Sequence, residues 1–257
     1  MHKIRVDINQ RTPGGTGAPT IVRVVTPNEE RRFIQLTTAG AYRRPRTSAN
    51  GHLQIEMESL GTFRRYDADE TVYCQGGAAD YWYRIVDGAA RQCTQISDGR
   101  RQIMDFLLPG DLFGFDASTR HERSVECVAS NTTVARYQRQ QIESLMESDP
   151  PLARRMREIA FGSIDRLQSR MILLGRSRAL ERVCGFLLEL AHRMQVEAEG
   201  TVALPMSRYD IADYLAIAVE TVSRSLTTLR SERVITFFDA RHFRIINRRA
   251  LEGHCCR

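Results

Sequence analysis

From Phe63 to Tyr137 apolar and polar positions alternate in short runs broken by glycine: ETVYCQGG, YWYRIVDG, RQCTQISDG, RRQIMDFLLPGD, SVECVA and TTVARY. Period-two runs with glycine-bearing turns between them predict short antiparallel strands closed into a barrel or roll. After Asp149-Pro150-Pro151 the period lengthens. Leu152, Met156, Ile159, Ile164, Leu167, Met171 and Leu174 recur about every 3.5 residues with arginine and glutamate between them, which predicts one long amphipathic helix. Such a stripe beside a small β domain finds its partner in the same helix of a second copy across a two-fold axis; the alternative is that it covers its own barrel. A second helical run, Leu180 to Met194, is apolar enough to be buried, and a polar linker from Gln195 to Gly200 follows it.

The stretch LPMSRYDIADYLAIAVETVSRSLTTLRSERVI, residues 204–235, reads as helix, tight turn, helix. Ser207 with Asp210 three residues on has the form of a capping box, Ile211 and Leu215 give the first helix an apolar edge, and Ala216 and Ile217 fill the turn. In the second helix Val222, Leu226 and Leu229 face inward at i, i+4 and i+7, leaving Glu220, Ser223, Arg224 and Thr227 on the opposite face. VITFF-DAR-HFRII, residues 234–246, alternates across a turn at Asp239–Arg241 and reads as a hairpin wing. A helix pair of about 208–227 followed by a wing, with a dimer helix upstream, predicts a winged helix-turn-helix that binds double-stranded DNA.

The outward face has the chemistry of base reading. Arginine can donate a bidentate pair to guanine, glutamate can accept from cytosine N4, and serine can take either role. Glu220, Ser223 and Arg224 are therefore the expected base readers, with Glu220 alternatively a charge that stabilises the helix N-terminus. Ser207, Arg208 and Thr221 are expected at phosphates, where free backbone N–H groups and a guanidinium meet the DNA backbone.

Composition adds less than it promises. The chain has 257 residues, a formal charge of +6 and 37 basic side chains, of which Lys3 is the only lysine. Residues 1–52 carry +6, residues 53–174 carry −3 and residues 175–257 carry +3. The excess thus sits in a proline- and glycine-rich segment that reads as a basic, disordered arm of unassigned role. Arginine preference fits a GC-rich genome as well as phosphate recognition. No window approaches about 18 uninterrupted apolar residues and the N-terminus has no apolar signal core, so a cytoplasmic protein without a membrane span is expected. The cysteines at 74, 93, 127, 184, 255 and 256 form no CxxC and suit reduced thiols. Cys184 reads as an inert core thiol, and His254-Cys255-Cys256 as an exposed, frayed tail. No Ser/His/Asp arrangement, HExxH or phosphate loop is present, so catalysis is not expected.

With ETVYCQGGAADYWYRIVDG (70–88), LPGDLFGFDA (108–117), DIADYL and VETVSR (219–224), the chain from about residue 53 resembles the CRP/FNR superfamily of bacterial transcription regulators, most nearly its FixK branch. The resemblance implies an α+β fold: a cyclic-nucleotide-binding-like β-roll at 53–147, a dimerisation helix at 148–176, and a winged helix-turn-helix domain at 177–257. It also implies a homodimer that reads palindromic TTGAT-like half-sites, contacts RNA polymerase and controls low-oxygen or nitrogen-fixation genes. Arg123-Ser124 matches the pair that holds a cyclic phosphate in the nucleotide-sensing branch, but the ribose-binding Gly-Glu pair reads Gly114-Phe115, and the base-contacting pair reads Leu167-Gln168. Arg123 is then expected to pair with Glu122 or Glu126. The iron–sulfur branch needs closely spaced N-terminal cysteines, and none precedes Cys74. A haem-sensing relative would use a histidine such as His52 or His121, both read as surface residues. No cofactor is expected; the alternative is a roll that senses a cyclic nucleotide or haem.

Overall fold

The structure, a computed structural model, describes residues 60–95, 101–176, 178–194 and 200–255. The basic segment 1–52, with His52, the linker residues 195–199 and Cys256 lie outside the described residues.

Two four-stranded antiparallel sheets form the roll. One has the order β1 (Thr62–Tyr66), β8 (Thr132–Gln138), β3 (Tyr81–Asp87), β6 (Leu112–Phe113); the other has β2 (Thr71–Tyr73), β7 (Ser124–Cys127), β4 (Ala90–Gln95), β5 (Arg101–Leu107). Tyr66, Tyr83, Ile85, Leu107, Phe113, Val125 and Val134 fill the space between them. The β3–β4 turn requires glycine at Gly88, whose φ is +83° and whose hypothetical Cβ would lie 2.4 Å from Thr132 Oγ1.

An antiparallel sheet can leave one face wet, but here both faces of β3 are covered. Tyr83 points into the roll while its neighbour Trp82 joins Leu112, Ala135 and Tyr137 in a second cluster, closed by α1 (Arg139–Ser148) and the start of α2 (Pro150–Arg176). The helix α1 ends at Ser148, with Asp149 as its C-cap just before Pro150-Pro151. One expectation is corrected: Leu152, Met156 and Ile159 pack on their own roll rather than standing free for a partner. Leu152 is 5% exposed, whereas Phe161, at 62%, and Met171, at 73%, stand in solvent together with Ile164, Leu167 and Ile172. The long stripe is therefore two half-stripes with different jobs, and only the second is unpartnered among the described residues. Leu174 is half-buried, its carbonyl accepting from Arg182 Nη2.

The second sheet's outer face merges with the C-terminal half. Adjacent residues of β5 diverge: Leu107 enters the roll core, while Phe106 joins Ile103 and Leu108 in a cluster shared with α3 (Ala179–Arg193), α4 (Arg208–Leu215) and α5 (Val219–Ser231). Phe106 lies 4.9 Å from Tyr214 and 6.1 Å from Phe186 between ring centroids. The apolar core thus runs unbroken across the boundary placed at 177. The wing is three-stranded, in the order β10 (Ile235–Asp239), β11 (His242–Ile245), β9 (Thr201–Ala203), so β9 adds a strand to the hairpin read from the sequence. A last helix, α6 (Arg248–Cys255), packs on α3 through Leu251. The architecture is the expected α+β one: a β-roll, long helices and a C-terminal winged helix-turn-helix.

Candidate nucleic-acid interface

Helix α4 begins at a closed capping box. Ser207 Oγ accepts the Asp210 N–H at 3.1 Å, and Asp210 Oδ2 accepts from Ser207 N–H at 3.1 Å and from Ser207 Oγ at 2.6 Å. The helix ends at Ala216 in the left-handed region, with φ 51° and ψ 49°, its N–H donating to Ala212 and Asp213 carbonyls. Ile217 and Ala218 complete the turn, and α5 starts at Val219.

Val222, Ser225, Leu226 and Leu229 of α5 are buried against the shared core. Glu220, Ser223, Arg224, Thr227 and Arg230 are exposed on the opposite face. Ser223 Oγ donates to Val219 O at 3.0 Å and Thr227 Oγ1 to Ser223 O at 2.9 Å. Each hydroxyl proton is thereby engaged within the helix, leaving oxygen lone pairs outward that suit a donor such as adenine N6 or cytosine N4. Glu220 and Arg224, one turn apart, make no ion pair among the described residues and carry opposite charges into solvent side by side. Glu220 also stands in the first turn, where its charge suits the helix N-terminus. Thr221 is half-buried, and its N–H donates to Ala218 O at 3.0 Å.

Arg208 lies between the helix pair and the wing. Its guanidinium sits 5.0 Å from the Phe237 ring centroid, and Nη1 is buried without a hydrogen-bond partner among the described residues. Burial lowers its pKa from the usual arginine value, the sign of a cation short of compensating negative charge. Together with Ser223, Thr227, Arg230, Phe237 and Asp239 it lines a cleft of about 290 Å³. Asp239 does not neutralise it. That carboxylate accepts from the Arg241 N–H at 2.6 Å and faces His242 Nδ1 at 2.9 Å, and these bonds hold its pKa below the ordinary range. Ser207 is exposed at the same edge. The first turn of a helix offers N–H groups with no intrahelical acceptor, so Ser207 and Arg208 together can meet an anionic oxygen.

The roll interior departs from the sequence reading at two places. His121 is buried rather than on the surface: its Nδ1 lies 2.6 Å from Asp116 Oδ2 and its ring stacks on Tyr73 at 3.7 Å. Burial also pushes the Tyr83 hydroxyl up to about 12. Glu126 does not pair with Arg123; it is held by Arg91 and Arg101 at 2.8 and 3.1 Å. Ser124 Oγ accepts the Gln75 N–H at 2.8 Å. Gly114 has φ +84°, and a Cβ there would lie 2.9 Å from Tyr83 Cδ2, while Phe115 packs edge-on against Trp82 at 5.4 Å. The position that the resemblance assigns to a ribose-binding carboxylate is thus held by the Phe115 ring. Among the described residues no group of three or more histidine, cysteine or acidic side chains is arranged to hold a metal ion, and no helix is long and apolar enough to cross a membrane.

His254 and Cys255, expected in an exposed, frayed tail, stand in the last turn of α6. Cys255 is half-buried, its thiol donating to Leu251 O at 3.6 Å, and His254 Nε2 lies 3.0 Å from Glu232 Oε2 at the end of α5. Sequence reasoning also missed Arg91, Gln102, Arg170 and Arg193, which tie the roll to the helices. Only their placement among polar strand or helix positions is legible, not their partners.

Residues 181–253 match the family of Crp-like helix-turn-helix domains, and residues 63–149 match that of cyclic nucleotide-binding domains. The nitrogen fixation regulation protein FixK of Bradyrhizobium diazoefficiens is 38% identical over 182 residues, 70% of this chain and 76% of its own. FixK of Rhizobium meliloti is 35% identical over 209 residues, 78% of this chain and 94% of its own. The solved structure of FixK2 from Bradyrhizobium japonicum, 39% identical, is similar with a TM-score of 0.71, covering 76% of this chain and 96% of that one.

Proposed function

The chain belongs to the CRP/FNR family of DNA-binding transcription regulators and is not an enzyme, and on that premise we propose that it is a FixK-type homodimer that reads a palindromic promoter site. Glu220, Ser223 and Arg224 would contact base edges of TTGAT-like half-sites, and Ser207, Arg208 and Thr221 would hold phosphates. The observation that carries this reading is the outward face of α5: a glutamate and an arginine one turn apart, each without an ion pair among the described residues, with a serine between them whose lone pairs face outward.

Dimerisation is assigned to the second half of α2, where Phe161, Ile164, Leu167, Met171 and Ile172 are exposed at helical spacing. A stripe of that kind is costly to leave in water and fits its own copy across a two-fold axis. Promoter-bound dimers of this kind act by contacting RNA polymerase, and the similarity to FixK proteins supports target genes in nitrogen fixation or low-oxygen metabolism. Such work belongs in the cytoplasm. A cofactor-free roll fits Phe115 at the ribose position and the aromatic stack of Tyr73, Tyr83, Phe113 and His121 in the interior. The test is equilibrium binding of the purified protein to a duplex with two TTGAT half-sites and to one with the G·C pair of each half-site exchanged. Discrimination of roughly 1–3 kcal/mol per exchanged pair supports base reading. Equal binding to both duplexes refutes it.

A further inference from the structure

Asp210 stands at the joint between the helix-turn-helix and the roll, and its two carboxylate oxygens face different ways. Oδ2 closes the Ser207 cap at the start of α4. Oδ1 accepts from Arg91 Nη1 on β4 at 2.9 Å, with Arg101 Nη2 at 3.6 Å. Arg91 uses its remaining nitrogens on the roll itself: Nε donates to Glu126 Oε2 at 2.9 Å, and Nη2 to Asp69 Oδ1 at 2.7 Å. Both partners are sequestered, with side-chain exposures of 9% for Arg91 and 6% for Asp210. Burial opposes the charge on Arg91, but the hydrogen bond with Glu126 and the charges of Asp210 and Glu126 outweigh it and keep the guanidinium firmly protonated.

A planar fork satisfied on two sides by the roll presents its third side to α4 in a fixed direction, which a flexible lysine would not do. The rest of α4 is held from the same surface. Gln102 Nε2 donates to Asp213 O at 2.8 Å, and Arg170 of α2 bridges Tyr214 O at 2.8 Å and Ile103 O at 2.9 Å while its guanidinium stacks 4.1 Å from the Tyr214 ring. The first helix of the pair is thus anchored along its length to β4, β5 and α2, and α5 packs against it with its reading face outward.

We propose that Arg91 is a positioning residue for DNA recognition: through Asp210 it locks the helix-turn-helix onto the roll in the pose that presents α5 to DNA. The inference rests on the DNA-reading assignment of α5. Arg91 touches no DNA; it acts by fixing the angle between the reading helix and the dimer axis, on which simultaneous engagement of two half-sites depends.

The test uses the full-length chain with Arg91→Met, Arg91→Lys, Asp210→Asn and the Arg91→Met/Asp210→Asn double variant, at a temperature where melting curves show each to be folded. Affinity is measured for the palindromic duplex and for a scrambled duplex of equal length. Arg91→Met and Asp210→Asn should each weaken palindrome binding about tenfold and leave scrambled binding unchanged. The double variant should be no worse than either single one, and Arg91→Lys should recover part of the loss. A role confined to stability would lower the melting temperature and leave the ratio of the two affinities at the parent value, which overturns the proposal. Tighter palindrome binding by Arg91→Met would overturn it too, by making the contact inhibitory. If the parent protein itself does not discriminate the two duplexes, the reading assignment of α5 fails and the inference with it. A discriminating parent with an unchanged Arg91→Met ratio sinks the inference alone.

Discussion

Asp105 on β5 and Arg193 on α3 form a poorly matched pair: Arg193 Nη1 lies 3.8 Å from Asp105 Oδ1, while the same guanidinium reaches Asp111 at 2.6 Å and Glu189 at 3.2 Å. Three carboxylates share one cation, and Asp105 is the least compensated. Burial, partly countered by Arg193 and Arg166, raises its pKa from 3.8 to about 6.

A carboxyl with a raised folded-state pKa stabilises the fold in its protonated form. That contribution is complete below about pH 4 and is lost as pH rises through about 6, a change of roughly 3 kcal/mol. Asp105→Asn removes the titration and leaves Arg193 paired with Asp111 and Glu189. Its melting temperature should exceed the parent's at pH 7.5 and lose that advantage at pH 4.5. An offset of the same size at both pH values would show that Asp105 does not titrate in this window.

The two halves of α2 predict different failures. Leu152 and Met156 are buried in the chain's own second cluster, so Leu152→Ala or Met156→Ala should lower stability by about 2–5 kcal/mol, read by denaturant unfolding.

Met171→Glu and Leu167→Glu introduce charge on the exposed half and should convert dimer to monomer in sedimentation analysis with little loss of monomer fold. Dimers that survive both substitutions would place the interface elsewhere.

The thiols should differ in reactivity. The neighbouring Cys184 thiol lowers the Cys255 pKa, while Cys255 and burial raise that of Cys184. Burial pushes Cys93 and Cys127 up to about 11. Iodoacetamide at pH 7.5 should therefore label Cys255 before Cys184, Cys93 and Cys127 in mass-spectrometric mapping. Cys184→Ala removes that neighbouring thiol and should slow the Cys255 reaction; an unchanged rate would rule out the thiol pair as its cause.

Local periodicity makes the helix-turn-helix legible. Ser207 and Asp210 are close enough in sequence for a cap to be read directly, and Val222, Leu226 and Leu229 fix the buried face of α5 and hence the outward one. The spacing of Leu152 through Leu174 announces a long helix but carries no information on what buries each half, because the same stripe serves a roll or a partner equally well. Trp82 and Tyr83, adjacent and both buried, break the alternation that a one-sided sheet would show, since α1 covers the outer face. Arg91 and Asp210 are 119 residues apart, and no local pattern reports a contact at that separation. The burial of His121 is illegible for a related reason: its partners Asp116 and Tyr73 come from the loop before it and from another strand.

Base reading by the outward face of α5 is tested most directly by the Arg224→Ala variant, assayed against a panel of duplexes in which each half-site position is exchanged in turn. The loss should be roughly 1–3 kcal/mol per half-site, and the variant should become indifferent to one G·C pair while keeping the parent's preferences elsewhere. Equal weakening on every duplex would make Arg224 a phosphate contact and contradict the account.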